Sequence, residues 1–271
     1  MRLKSDKLTR NWDRLDSTEL KELQTKRLRS FLKDHLVPFS KHYRTLFEKE
    51  GIDVNDVRSL EDFAKLPFTM KRNLTAGEDG SSPTKDFVLV PDEKILSKRP
   101  STIFKALYRG KSGVKEDFEK EYRPILMTST TGRSAEPVPF LYTQYDLDNL
   151  AVTGRRMMEV CDSKKEYRHF NLFPYAPHLA FWQAHYAGLG YNTFTLSSGG
   201  GKVMGTDGNV RMLGKIQPDA LIGMPTFIYH VLQIAVEQGL DCPNIKRIVL
   251  GGEKVPDGTR RKLRALCAEL G

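Results

Sequence analysis

The sequence predicts an α/β fold, a mostly parallel sheet flanked by helices, behind a mainly helical N-terminal preface. Two observations carry that expectation. From Pro124 onward short β-rich runs alternate with helical patterns, the alternation that builds a parallel sheet covered on both faces. Before Pro91 the apolar residues recur at helical spacing instead. The expected organisation is a helical preface over 1–91, a basic insertion or linker over 92–123, and an α/β core over 124–271.

In the preface, Asp16-Ser17-Thr18-Glu19 reads as a capping box, and Leu20, Leu23, Leu28, Phe31 and Leu32 follow on one helical face. Gly51 ends that pattern, and a short helix at Ser59–Ala64 runs into Leu66-Pro67, where proline stops it. The glycine- and acid-rich 75–82 and the basic block after it read as loop, with one short helix around Ile103–Tyr108. In the core the expected strands are Ile125–Thr128, His169–Phe173, Asn192–Leu196, Ala220–Gly223 and Arg247–Leu250. Thr143 with Asp146 signals a helix whose buried face holds Leu147, Leu150, Ala151, Met157, Met158 and Cys161. Pro225 and Pro256 each stand at a first helical turn, which tolerates the missing N–H. Ligands of such folds gather at the C-terminal ends of the strands.

At 271 residues and 39% hydrophobic content the chain can bury a full core. No window approaches the roughly 18 apolar residues of a membrane span, and the charged start lacks a signal peptide's apolar stretch. The expectation is a soluble cytoplasmic protein without a membrane partner. Cys161, Cys242 and Cys267 are too few and scattered for a disulfide framework or a zinc site. The net charge of +9 is partly local: Lys94, Lys98, Arg99, Lys105, Arg109, Lys111 and Lys115 occur without one intervening acid. That block suits either a polyanion or a solvated face. No zinc-finger spacing or RNA-binding aromatic signature accompanies it, so a nucleic-acid partner is not expected.

The stretch with most chemical content is Met127–Phe140, which places Thr128, Ser129, Thr130, Thr131 and Gly132 directly after an apolar run. Small hydroxyl residues in a turn can aim several N–H and O–H donors at one anion, which suits the oxygens of a polyphosphate. A ligand-free serine- and threonine-rich turn is the plainer alternative. The Walker pattern is absent, because Gly110-Lys111, Gly201-Lys202 and Gly214-Lys215 each lack the glycine five residues upstream.

Met127–Gly132 resembles the phosphate loop of the adenylate-forming superfamily, and the rest of the chain is most similar to its phenylacetate–CoA ligase branch. The opening Phe39–Leu74 is similar to that branch's N-terminal phrase. Leu172-Phe173-Pro174-Tyr175-Ala176-Pro177-His178 resembles its second core segment, Ile222-Gly223-Met224-Pro225-Thr226 its strand-to-helix step, and Leu250-Gly251-Gly252-Glu253-Lys254-Val255-Pro256 its Gly-Gly-Glu loop. The resemblance implies the fold of the large N-terminal domain of adenylate-forming enzymes, incomplete here at its C-terminal end. It also implies a two-step reaction, in which ATP and an aryl or acyl carboxylic acid give an acyl-adenylate and coenzyme A then displaces AMP.

On that resemblance Thr128, Ser129, Thr130, Thr131, Gly132 and Arg133 hold the phosphates. Gly251, Gly252, Glu253 and Lys254 admit the adenylate, glycine leaving room for close approach. Tyr175, His178 and Gly251 line the acid's pocket, although a structural role for His178 and a core role for Phe170, Phe173, Phe181 and Trp182 remain open. The implied cofactors are ATP, Mg2+ and coenzyme A. No metal is assigned to protein ligands, since His178 and His185 lack a carboxylate at metal spacing. The implied partners are the small acid, the nucleotide, and either a second copy of the chain or a C-terminal portion.

Departures from the family pattern matter too. Ser129 stands where the family usually has glycine, which costs about 1–3 kcal/mol if the position needs a positive φ. Ser134-Ala135-Glu136 replaces the usual proline and lysine; Arg133 could restore the charge, whereas Glu136 facing inward would repel a triphosphate. The family's Tyr-Gly-x-Thr-Glu segment, ribose-binding aspartate and C-terminal lysine have no counterpart before Gly271. The expectation is therefore an N-terminal portion with weak or no adenylation activity alone. Two other readings stand beside it: transfer of the acyl group to a protein thiol, and a non-catalytic module that binds a polyanion through Lys94–Lys115.

Overall fold

The computed structural model describes residues 14–74, 84–130, 137–175 and 178–271. They group into two units, 14–123 with 137–138, and 124–130 with 139–271.

The first unit is helical. Helix α1, Ser17–Phe31, starts as its sequence dictates: the Asp16 carboxylate accepts the N–H groups of Thr18 and Glu19 at 2.8 Å each, and the Glu19 carboxylate accepts the Asp16 N–H at 3.0 Å. The chain continues through a π-helical turn, Leu32–Leu36, into Val37–Phe39. Pro38 accounts for a vacancy there, because it offers no N–H to the Asp34 carbonyl. The Arg99 guanidinium donates to that carbonyl instead and lies 5.2 Å from the centre of the Phe39 ring. Helix α2, Lys41–Lys49, is capped by the Ser40 hydroxyl and stops at Gly51, whose φ is +64°. Helix α3, Leu60–Phe63, is capped by Ser59. Helices α4, Thr84–Phe87, α5, Glu93–Ser97, and α6, Pro100–Tyr122, follow. Leu32, Phe39, Phe47, Val57, Leu96 and Val114 are the buried apolar side chains of this unit.

The basic block departs from the sequence expectation of a loop with one short helix. Most of it is helical, and α6 is broken only at Gly110, where φ is 72°. Its charges are also partly paired. Asp117 receives Lys105 at 3.0 Å and Arg109 at 2.8 Å, from about three and two turns upstream. The acids that neutralise the block lie just beyond its C-terminal end, which is why the segment looked uniformly cationic.

The second unit holds two sheets. Strands β1, Pro124–Ser129, and β2, Pro139–Thr143, form an antiparallel pair with Thr128 opposite Phe140 and Ser129 opposite Pro139. Helix α7, Gln144–Val160, leaves β2 through the expected capping box at Thr143 and Asp146. Strands β3, His169–Asn171, β4, Thr195–Ser197, β5, Ala220–Gly223, and β6, Arg247–Leu250, form a parallel sheet in the order β4-β3-β5-β6. The first expected strand thus belongs to a hairpin and not to the parallel sheet. Its partner β2 escaped notice because Pro137 and Pro139 disguise a strand start, although proline is tolerated at the first strand position.

Two expected strands are shorter than their apolar runs. The Asn171 side chain accepts the Phe173 N–H at 3.1 Å and turns the chain out of β3. Asn192, at φ 58°, is the left-handed cap of helix α8, Leu179–Tyr191, so β4 begins only at Thr195. Helices α9, Gly201–Ile216, α10, Pro225–Glu237, and α11, Asp257–Glu269, complete the unit. Their apolar faces bury Phe170, Leu172 and Leu221 with Val210, Leu213, Ile228, Val231 and Leu232. Burial at this level stabilises by about 1.5–3 kcal/mol per large side chain. Helices α7 and α8 pack closely at Gly154, where an added Cβ would lie 2.4 Å from the Ala187 Cα.

No described helix is long and apolar enough to cross a membrane. The Cys242 thiol is pushed up to about 11 by burial, and burial also raises Cys161 and Cys267, so none is poised as a thiolate.

Candidate functional site

The parallel sheet has a topological switch between β3 and β5. From β3 the chain passes outward to β4, then returns across β3 to β5, and continues away to β6. The C-terminal ends of strands beside such a switch form a crevice suited to ligands. Four loops leave the strands at this edge and are tied to each other by backbone bonds. Leu172 N–H donates to the Ile222 carbonyl at 2.7 Å, Tyr175 to Gly199 at 3.1 Å, Ser198 to Asn171 at 3.0 Å, and Gly251 to Gly223 at 3.2 Å.

Tyr175 and Gly251–Lys254 thus stand in loops at the C-terminal ends of the parallel strands. The Tyr175 ring is 49% exposed and packs edge-on against Phe181 at 5.1 Å. Phe181, Phe173 and Phe170 are buried and serve the core. Gly251 lies over the Phe173 ring, where an added Cβ would be 3.3 Å from Cζ, and Gly252 has a φ of +86°.

Glu253 has a defined partner. Its carboxylate accepts the Thr226 backbone N–H at 3.1 Å and the Thr226 hydroxyl at 2.8 and 3.0 Å. Thr226 stands in the first turn of α10, so a carboxylate from the next loop both satisfies a free N–H and complements the positive end of the helix. Lys254 is exposed and makes no ion pair among the described residues.

The hydroxyl stretch sits at the end of β1 and enters the hairpin connection. Thr128 is 1% exposed and its hydroxyl donates to the Tyr142 oxygen at 3.4 Å. Ser129 donates to the Thr130 carbonyl at 3.2 Å. Positive φ among described non-glycine residues occurs at Asp162, Asn192 and Gln217, so Ser129 escapes the strain expected of a serine in a left-handed turn. Thr131, Gly132 and Arg133 lie outside the described residues, as do Ser134, Ala135, Glu136, Ala176 and Pro177. His178 is half-buried at the N-cap of α8, without a side-chain capping bond. His185 is held elsewhere, its Nδ1 3.4 Å from the Ser197 hydroxyl and its ring stacked on Phe181. Among the described residues no three His, Cys, Asp or Glu side chains come together as a metal site.

Sequence reasoning passed over the loop Ser197–Lys202, testing its Gly-Lys pair only against the Walker spacing. Gly199 and Gly200 both have positive φ, and an added Cβ at Gly200 would lie 3.2 Å from the Leu172 carbonyl oxygen and Pro174 Cα. Asn209, fully buried, donates to the carbonyls of Gly200 at 3.3 Å and Gly205 at 2.7 Å. Asn171, equally buried, donates to the Phe181 carbonyl and the Ser197 hydroxyl, each at 3.1 Å. Three consecutive glycines after a β-rich run were the available signal.

With this geometry in view, the sequence likeness can be read. The chain is 24% identical over 246 residues to the phenylacetate–coenzyme A ligase of Pseudomonas putida, covering 90% of this chain and 47% of that protein. It is 24% identical over 255 residues to the same-named ligase of Aromatoleum evansii, covering 93% of this chain and 49% of that one. The chain is a relative of the phenylacetate–CoA ligases. It spans about half the length of those relatives. No protein-family model matches it. Among solved structures, 2-hydroxyisobutyryl-CoA ligase in complex with 2-HIB-AMP and CoA shares the fold, with a TM-score of 0.75, 18% identity, and coverage of 94% of this chain and 48% of that one. An open conformation of the same ligase gives 0.74. The α/β architecture with its parallel sheet is therefore a fold shared with 2-hydroxyisobutyryl-CoA ligase, and the phenylacetate–CoA ligase likeness extends through both units.

Proposed function

We propose that this chain supplies the nucleotide- and acid-binding part of an acid–thiol ligase that activates an aryl or acyl carboxylic acid with ATP and passes it to coenzyme A. The observation that supports this reading most is the placement of Tyr175, Gly251, Gly252 and Glu253 in loops that all leave the C-terminal ends of the parallel strands. A carboxylate attacking the α-phosphate must approach a charged group, so the protein has to supply donors and hold both partners in line. Gly251 and Gly252 leave the backbone open to an adenylate, and Tyr175 offers a half-exposed ring to the acid beside His178. Ser129, Thr130, Thr131, Gly132 and Arg133 would hold the phosphates. Thr128, buried on Tyr142, anchors the end of β1. Lys254 adds an exposed cation after Glu253, without an ion pair among the described residues.

Mg2+ takes few protein ligands and usually travels on phosphate oxygens, so it would enter with the nucleotide. Glu253 acts on Thr226, and so positions the glycine pair. Coenzyme A then displaces AMP, in a cytoplasmic setting where ATP and CoA are both supplied. The remaining parts of the reaction fall to a C-terminal portion, and the isolated chain is expected to show weak or no ATP–pyrophosphate exchange.

Binding tests this reading without requiring turnover. A non-hydrolysable phenylacetyl-sulfamoyl adenosine, added at about 100 times its Kd, stabilises by about 2.7 kcal/mol and raises Tm by several degrees. Tyr175→Ala should lower that shift. The absence of any shift with aryl, short-chain and long-chain analogues alike would overturn the proposal. In labelled-acid experiments with the completed enzyme, label on protein instead of CoA would identify a protein thiol as the acceptor.

A further inference from the structure

The first unit contains a second candidate site. A groove of about 640 Å3 runs between α1 and the segment Val54–Ser59, a volume typical of small-molecule sites, which range over roughly 300–1,000 Å3. Lys26 and Arg29 line it from α1 and Lys33 from the π-helical turn that continues it, and Arg58 lines the other wall. At 1.5 Å rise per residue the three cations span about 10 Å along the helix axis. Thr25 adds a neutral hydroxyl beside Lys26, whereas Ser30, Ser59 and Asn55 already donate to the carboxylates of Asp34, Asp62 and Asp53.

The charge is unbalanced. Lys21 at the groove's end is matched by Glu61 at 2.5 Å, and Arg58 lies 3.7 Å from an exposed Asp56. Lys26, Arg29 and Lys33 make no ion pair among the described residues, and Glu22 is the one carboxylate in the lining. The basic block Lys94–Lys115 behaves otherwise, since Lys105 and Arg109 share Asp117. A row of unmatched cations selects an anion whose charge repeats along a line. No aromatic ring lines the groove, so nothing there stacks nucleobases.

We propose that this groove binds a linear multi-phosphate anion of small-molecule size, held by Lys26, Arg29 and Lys33 in a row with the Thr25 hydroxyl at its end. This site lies in a different unit from the proposed ligase residues and does not depend on that reading. Inorganic tripolyphosphate is the probe. In hydrogen–deuterium exchange on the full 271-residue chain it should protect 17–33 and 54–59. In calorimetry the double charge reversal Arg29→Glu with Lys33→Glu should weaken binding at least tenfold, and raised salt should weaken it in wild type. The matched reversal Lys111→Glu with Lys115→Glu should change it less than twofold. All four side chains are exposed, so each variant should fold, and an unchanged Tm verifies this. Equal losses in the two double variants, protection confined to 250–256, or binding of a single-stranded RNA without binding of tripolyphosphate would each overturn the proposal.

Discussion

Glu253 closes the N-terminus of α10 from the loop after β6, its carboxylate 2.8 Å from the Thr226 hydroxyl. The contact ties two strand ends together and fixes the backbone of Gly251 and Gly252 between them. A glutamate in a Gly-Gly-Glu phrase therefore has a structural task apart from any contact with a ligand.

Removing the hydroxyl tests that task. Thr226→Val keeps the volume and the backbone N–H but deletes one of the two donors to Glu253, and should cost about 1 kcal/mol. For a chain of this size that is a Tm fall of about 2–4 °C. Hydrogen exchange should quicken over 250–256 in particular. A uniform acceleration across the chain, with no excess in that loop, would contradict the assignment.

The glycines of the strand-end loops should differ in their tolerance of a side chain. Gly252 has a φ of +86°, but an added Cβ would meet Met224 Cγ at an ordinary 3.7 Å, so Gly252→Ala costs only backbone strain, about 1 kcal/mol. Gly200, at φ 72° and ψ −162°, occupies a region that is essentially glycine-only, and its Cβ would also press on the Leu172 carbonyl and Pro174. Gly200→Ala should cost about 2–3 kcal/mol. Chemical denaturation of the two variants should give that order, and the reverse order would show that the loop at Gly200 relaxes freely.

The contrast bears on what the sequence could disclose. Local signals were readable: the capping boxes at Asp16 and Thr143, the proline starting α10, and the apolar runs of β5 and β6 all appear where the residues dictate. Readings failed where one side chain acted at a distance. Asn171 and Asn192 shorten two strands by bonds and backbone angles that apolar spacing does not record. Asp117 pairs with Lys105 and Arg109 from two to three turns downstream, so part of a block that looked cationic is matched. The strand-end edge was legible as separate phrases at Tyr175 and Gly251–Lys254. Their convergence, and the glycine loop at Gly199–Gly201 beside them, needed the sheet order. Strand order depends on long-range pairing, which one sequence does not print.

Acid stability provides the last prediction, through His169 on β3. Its ring is wholly buried, Nε2 lies 2.7 Å from the Ser163 hydroxyl, and Nδ1 has no hydrogen-bond partner among the described residues. Burial pulls its pKa below the ordinary 6.5, and the Asp219 charge opposes this only in part. Below pH 6.5 the unfolded chain therefore takes up a proton that the folded chain refuses. Its contribution is complete above pH 6.5 and is lost as the pH falls toward the folded-state value. Asp219 acts in a lower window. Burial raises its pKa, but the bonds from Lys246 at 2.8 Å and the Arg168 N–H at 2.9 Å outweigh this and hold it below 3.8, so its contribution disappears only under stronger acid. Urea midpoints should thus fall first as the pH drops below 6.5, and again below pH 4. His169→Leu should lose some stability at pH 8, where Ser163 loses its partner, yet flatten the first fall while leaving the second. His35 and His42, whose pKa values burial also lowers, should leave a residual slope. An unchanged first fall in His169→Leu would show that the transition belongs to those two histidines and not to the sheet.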